Sequence, residues 1–322
     1  MIERSNAIVA LLTTGFFLGA CAQTEVSQED SDENAALLVE SFDPQYGAGS
    51  SAPIEGAQYG NLALTIGEGT PVVFYYPAGP SWWQMQAEPL SADYMIVMVG
   101  EDLAVPPEGG LVSPTHLIDA LENLKGTLGV ESFNLVTHSI SSRIAMELAI
   151  RRPDLINSLV LEEPAWAPTP DVEGPLPPPE QPECQVELTN PIDRSTCDFF
   201  AMQMGEGRFE ALPQSIRQYL LDGAREQAAA IAASSTEGDL PMEAGPPQFD
   251  MICDQLGELD FPILFVRGED TPAFFSAGMD YYEGCLSDHE TAFIADATHM
   301  VHFENPEAYN AAVRSFVSTH SN

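Results

Sequence analysis

One serine stands at a sharp change of texture in this chain, within Ser132-Phe-Asn-Leu-Val-Thr-His-Ser139-Ile-Ser-Ser-Arg-Ile-Ala-Met-Glu-Leu-Ala149. The residues before Ser139 form an apolar run of strand type. After it, Ile140, Ile144, Ala145, Leu148 and Ala149 recur at helical spacing. A serine at such a corner is placed to act as a nucleophile; its other reading is a helix N-cap. A hydroxyl attacks a carbonyl only when a neighbouring imidazole takes its proton, and imidazole titrates near neutral pH. His299 directly follows the last strand-like run and is a candidate for that base. His302 competes three residues on, and His138, beside the serine, is expected to point away and serve structure. A carboxylate must then hold the imidazole in the correct tautomer. Glu162 and Glu163 end one strand-like run and Asp270 follows another, so the acid is sought among them.

The segment around Ser139 resembles the nucleophile elbow of α/β-hydrolases, whose pattern is G-x-S-x-G. Thr137 and Ser141 stand where that pattern has glycines, a departure toward small but not minimal side chains. Arg151-Arg152-Pro153-Asp154 closes the helix and Ser158-Leu-Val-Leu-Glu-Glu-Pro-Ala165 follows, similar to the family's R-R-P turn and next strand. Ile294-Ala-Asp-Ala-Thr-His299-Met-Val-His-Phe-Glu-Asn-Pro-Glu307 resembles the loop carrying the family's catalytic histidine. The resemblance covers roughly residues 60–165 and 260–320, in the family's order.

What the resemblance implies for the acid is divided. Most family members place it three residues after a glycine at the end of the strand before the last. Here Gly268-Glu269-Asp270-Thr271 puts a threonine there and Asp270 one residue early. Some haloalkane dehalogenases, and zearalenone-type lactone hydrolases, carry a glutamate at the end of the strand after the elbow helix, and Glu163 matches it without a gap. Gly268 to Pro272 is similar to the lactone hydrolases' G-x-x-T-P, and Pro77-Ala78-Gly79 to their P-x-G turn. Glu163 is therefore favoured, with Asp270 as the alternative. The oxyanion donors implied are the backbone N–H of Ile140 and that of Ala78 or Gly79, since Pro77 has none. Trp82 and Trp83 follow that turn and are candidates for a substrate pocket wall, or else for packing between lid and core.

Elements must hold these groups. Short apolar runs at Leu62–Ile66, Val72–Tyr76, Tyr94–Val99, Phe133–Val136, Leu159–Leu161, Phe261–Val266 and Thr291–Ile294 are expected strands. Amphipathic stripes from Leu117 to Leu128 and from Ile140 to Ala149 are expected helices, as are segments near Phe275–Leu286 and from Pro306 to about Val317. The alternation implies a mostly parallel sheet covered by helices on both faces. It stops after Pro164: residues 165–258 hold a Pro-rich stretch, then helix-like sequence around Phe209–Leu221 and Gly223–Ala233. That block reads as a helical lid inserted into a core of residues 56–164 and 259–322.

Composition limits the partners. Eleven Lys and Arg face 49 Asp and Glu, a formal net charge of -38, a field that repels nucleic acid. Residues 1–21 read as an export signal: Arg4, an apolar run from Ala7 to Ala20, then Leu18-Gly19-Ala20-Cys21, which resembles a bacterial lipoprotein lipobox. The resemblance implies lipidation at Cys21, a membrane anchor and, from Ala22, outer-membrane sorting. Residues 22–55, rich in polar residues and glycine, read as a flexible tether. Cys184, Cys197, Cys253 and Cys285 remain, an even number without a CxxC pair, and are expected to form two disulfides rather than a metal site. Three pairings are possible, and the short spacing puts Cys184–Cys197 with Cys253–Cys285 first. No cofactor is expected. The expected activity is hydrolysis of a small-molecule carboxylic ester or lactone through an acyl-serine. The alternatives are a proline-iminopeptidase-like aminopeptidase, disfavoured by the lack of an H-G-G-P-G turn at Pro77–Pro80, and a non-catalytic surface lipoprotein on a hydrolase scaffold.

Overall fold

A computed structural model describes residues 50–53, 62–100, 114–164, 182–234 and 253–320. The signal, Cys21 and most of the expected tether lie outside the described residues. Its last part does not: Ser50–Pro53 forms strand β1, antiparallel to β2 (Leu62–Ile66). The remaining strands are β3 (Pro71–Tyr75), β4 (Met95–Val99), β5 (Phe133–His138), β6 (Ile156–Glu162), β7 (Ile263–Gly268) and β8 (Glu290–Ile294). They lie in the order β1-β2-β4-β3-β5-β6-β7-β8, and every pairing from β4 to β8 is parallel.

The apolar runs are continuous because both sheet faces are covered. Every residue of β3, β5 and β7 is buried. Alternate residues feed two cores: Val72, Phe74, Val136 and Val160 on one face, Val73, Tyr75, Leu135 and Leu159 on the other. On the second face pack α2 (Pro114–Leu128), through Leu117, Leu121 and Leu124, and α3 (Ser141–Arg151), through Ile144 and Leu148. On the first lie α1 (Gln84–Ser91) and the C-terminal helix Pro306–His320, through Leu90, Val313 and Val317. Full burial of one such aliphatic side chain contributes about 1.5–3 kcal/mol.

Between β6 and β7 three further helices follow one another: α4 (Pro191–Met204), α5 (Arg208–Ala211) and α6 (Gln214–Ser234). They differ from the expected pattern. The sequence around Phe209–Leu221 and Gly223–Ala233 divides into a short helix and one helix running straight through Gly223, and α4 precedes both. The signal for α4 is Asn190-Pro191: the Asn190 side chain accepts the Ile192 N–H at 2.9 Å and proline takes the first helical position. Phe200, Met204, Phe209 and Ile216 of these helices join the core on the first face of the sheet.

Disulfides join Cys184 to Cys197 and Cys253 to Cys285. The first ties the coil before α4 to that helix. The second ties α7 (Cys253–Leu256) to the end of α8 (Ala273–Cys285). Among the described residues no helix is long and apolar enough to cross a membrane.

Candidate active site

Ser139 sits between the end of β5 and the start of α3 with φ 51°, the left-handed region that an L-residue enters at a cost of about 1–2 kcal/mol. Neighbouring bonds hold it there. Its N–H donates to the Glu162 carbonyl oxygen at 2.9 Å, fastening the turn to the end of β6. Thr137 and Ser141, where the elbow pattern has glycine, are both fully buried. Their hydroxyls are used. Ser141 Oγ accepts the His138 N–H at 3.1 Å and lies 2.7 Å from the His138 carbonyl oxygen and 3.1 Å from that of Tyr75. Thr137 donates to Ser142 Oγ at 3.2 Å. The elbow thus replaces absence of side chains with internally bonded hydroxyls.

His299 follows β8 and turns its Nε2 to Ser139 Oγ at 2.9 Å. Its ring stacks on Phe275 of α8, with centroids 4.0 Å apart. Nδ1 faces Glu163 Oε2 at 3.4 Å, which makes Nδ1–H, Nε2 the tautomer that suits both partners. That contact is long for a charge-assisted hydrogen bond. Glu163, at φ 44°, projects from the residue after β6. Its Oε1 accepts the Gly268 N–H at 2.8 Å and the Thr271 hydroxyl at 2.6 Å. Burial pushes the Glu163 carboxyl up, against the Thr271 and Gly268 bonds and the charge of Arg267, which favour its ionised form. Burial likewise pushes the His299 imidazole down, toward its neutral, proton-accepting form. Gly268 is required here, because a Cβ on it would lie 2.3 Å from the Ala297 carbonyl oxygen, where acid and base loops touch.

The alternative acid is elsewhere. Asp270 is half-exposed and paired with Arg208 of α5. Arg208 also donates to the Asp296 carbonyl oxygen at 3.0 Å and lies 3.7 Å from Glu304. Helix α5 is thereby pinned to the loop after β7 and the loop after β8.

The competing histidine has its own acid. Glu162 Oε1 accepts both the His302 backbone N–H at 2.9 Å and His302 Nδ1–H at 2.7 Å. Adjacent glutamates therefore face histidines three residues apart. Burial pushes Glu162 up to about 7 and His302 down. His138 turns its Nε2 to within 2.8 Å of the His299 carbonyl oxygen.

Of the expected oxyanion donors, Gly79 spends its N–H on the Tyr76 carbonyl oxygen at 2.9 Å, a correction to its assignment. Ala78 is exposed on the same turn, and Ile140 follows Ser139 at the head of α3. Trp83 is fully buried, edge-on to Phe74, and Trp82 stacks on Tyr76 at 4.0 Å and is 2% exposed. Both are core packing rather than pocket wall. The bulky rings fill the space between the sheet and the helices on its first face.

Two groups among the described residues bring metal-ligand types within 4.8 Å: Cys184, Cys197 and Glu210, and His138, Glu162 and His302. In the first the sulfurs are bonded to each other. In the second, Glu162 Oε1 lies 2.7 Å from His302 Nδ1 and also accepts the His302 backbone N–H at 2.9 Å.

No family model matches the chain. Curated relatives are similar to it. "Putative carbamate hydrolase RutD" of Agrobacterium fabrum is 25% identical over 250 residues, 74% of this chain and 88% of that protein. "sn-1-specific diacylglycerol lipase ABHD11" of Danio rerio is 23% identical over 217 residues, 66% of this chain and 65% of that protein. Among solved structures, carboxylesterase CesB (YbfK) from Bacillus subtilis superposes with a TM-score of 0.62 at 13% identity, covering 89% of this chain and 99% of that one. The fold is that of the α/β-hydrolases, a mostly parallel sheet flanked by helices.

Proposed function

We propose that this enzyme cleaves a small-molecule carboxylic ester or lactone through an acyl-serine intermediate, with Ser139 as nucleophile, His299 as base and Glu163 as the acid. The carrying observation is the chain of contacts from Ser139 Oγ to His299 Nε2 at 2.9 Å and from His299 Nδ1 to Glu163. Ser139 Oγ attacks the carbonyl carbon as His299 Nε2 takes the hydroxyl proton. The oxyanion formed is held by the N–H groups of Ile140 and Ala78. Collapse breaks the bond to the alkoxy oxygen, which leaves with the proton from His299. Water then attacks the acyl-serine, giving its proton to His299, and the second collapse releases the acid and restores Ser139. With a lactone, both products are one hydroxy acid. Glu163 holds Nδ1–H and balances the transient imidazolium charge. Its place, with Thr271 and Pro77-Ala78-Gly79, supports the likeness to zearalenone-type lactone hydrolases.

The same reading sets the enzyme at a membrane surface, lipidated at Cys21 behind residues 22–55. The supporting feature is Leu18-Gly19-Ala20-Cys21 at the end of a short apolar run. A fluorophosphonate probe tests the activity. It labels the wild-type chain at Ser139 and leaves Ser139→Ala unlabelled; wild-type protein that does not react removes the acyl-serine reading in favour of a binding protein on this scaffold.

A further inference from the structure

We infer that His138, backed by the Glu162–His302 pair, positions His299 against Ser139. This rests on the Ser139–His299–Glu163 reading and extends it to three residues that reach the reaction only through others.

The distance between nucleophile and base depends on what holds the base. The His299 ring meets its acid at 3.4 Å, a loose constraint, so its orientation depends heavily on where its backbone is held. The His299 carbonyl oxygen lies 2.8 Å from His138 Nε2. A carbonyl only accepts, so His138 carries its proton on Nε2 and donates. His138 is covalently next to Ser139. Nucleophile and base are thus closed into a ring: Ser139 Oγ, the His299 imidazole, the His299 carbonyl, the His138 imidazole and back along the chain to Ser139.

A second cross-link lies three residues on. Glu162 accepts the Ser139 N–H on its backbone oxygen at 2.9 Å and both His302 donors on its side chain at 2.9 and 2.7 Å. The loop between the two histidines is itself closed, since Glu304 accepts the Thr298 N–H at 2.8 Å and the Thr298 hydroxyl at 2.6 Å. The base loop is therefore bonded to the elbow at both ends, by one imidazole and one carboxylate. A position that only filled space would take an apolar side chain, which carries no desolvation cost. His138 is 1% exposed, and Glu162 and His302 are fully buried.

The test compares His138→Leu and His138→Gln with the wild type, all with matched thermal melts, using a fluorophosphonate to read kinact and KI separately. Glutamine places an N–H donor close to where histidine has Nε2. His138→Leu is expected to lower kinact by roughly 10–100-fold at unchanged KI, the scale of a small misplacement of a reacting group. His138→Gln should recover to within about fivefold of wild type, on the same scale. Should His138→Leu fail to fold, Glu162→Leu and Glu162→Gln repeat the contrast, since glutamine still offers an oxygen to both His302 donors. Leucine variants that react at the wild-type rate, or glutamine variants no better than leucine ones, overturn the proposal while leaving the triad intact. Wild-type protein that does not label at Ser139 overturns the triad, and this proposal with it. Activity lost to a chelator and restored by zinc assigns the three side chains to an ion and also overturns it.

Discussion

Thr271 donates its hydroxyl to Glu163 Oε1 across 2.6 Å. The residue at the place where α/β-hydrolases usually carry their acid thus anchors a carboxylate arriving from a different strand. One oxygen of Glu163 is tethered at the end of β7 while the other faces His299.

This arrangement separates the acids by mutation. Glu163→Gln should leave the fold intact and cut turnover of an activated ester by roughly three to four orders of magnitude, through loss of the correct tautomer and of charge balance. Asp270→Asn should cost a few-fold at most, because its partner is Arg208. Glu162→Gln should also stay within about tenfold, since an amide oxygen still accepts from His302. Steady-state kinetics on variants with unchanged melting temperature decide it. Equal activity in all three would place the acid elsewhere.

The elbow invites an unusual expectation, that restoring the pattern's glycine does harm. Ser141→Gly would strip partners from the buried His138 N–H and nearby carbonyls, a cost of about 1–3 kcal/mol. Glycine at the start of α3 adds up to about 1 kcal/mol relative to a better helix former. Urea denaturation should show a lower midpoint at unchanged slope. A more stable glycine variant would mean the hydroxyl bonds contribute nothing.

How much of this was legible follows from the range of each interaction. The strands could be read because burial on both faces leaves apolar runs, and the place of Glu163 facing His299 because the resemblance fixes its count from Ser139 through Arg151-Arg152-Pro153. The Asp270–Arg208 pair joins residues 62 apart and the His138 contact with His299 spans 161, distances that no local pattern encodes. Helix α4 was hidden by a Pro-rich approach, although Asn190-Pro191 marks its start. The Trp82-Trp83 pair looks alike in sequence whether it lines a pocket or fills a core. Only the sheet behind it decides.

The cysteines make a chemical prediction. With Cys184–Cys197 and Cys253–Cys285 bridged and Cys21 acylated, the exported mature chain should show no free thiol when unfolded without reductant. Reduction should lower stability by about 2–4 kcal/mol per bridge. Cys21→Ser should accumulate as an unacylated precursor with its thiol count unchanged at zero. Four thiols in the wild-type chain would contradict both bridges, and labelled fatty acid on Cys21→Ser would contradict the anchor.

Arg208 offers a prediction about the inserted helices. Among the described residues it ties α5 to the loops after β7 and after β8, through Asp270, the Asp296 carbonyl oxygen and Glu304. The pair is only partly shielded, so its contribution to global stability should be small, about 0.2–1 kcal/mol. Its position matters more than its strength. Asp296 has φ 55° and leads within three residues to His299, so a released Arg208 loosens the base loop and the helices beside it together. Arg208→Ala should therefore lower kcat/KM by roughly fivefold, equivalent to about 1 kcal/mol, with little change in melting temperature. Arg208→Lys should recover part of this, because one ammonium cannot span a carboxylate and a carbonyl as a planar guanidinium does. Raising salt from low ionic strength to about 1 M, where screening reaches about 3 Å, should bring the wild type toward Arg208→Ala, whose own salt response is the control for the rest of this acidic surface. If wild type and Arg208→Ala differ by the same ratio at every ionic strength, the contact is not an electrostatic latch, and packing of α5 alone holds the helices in place.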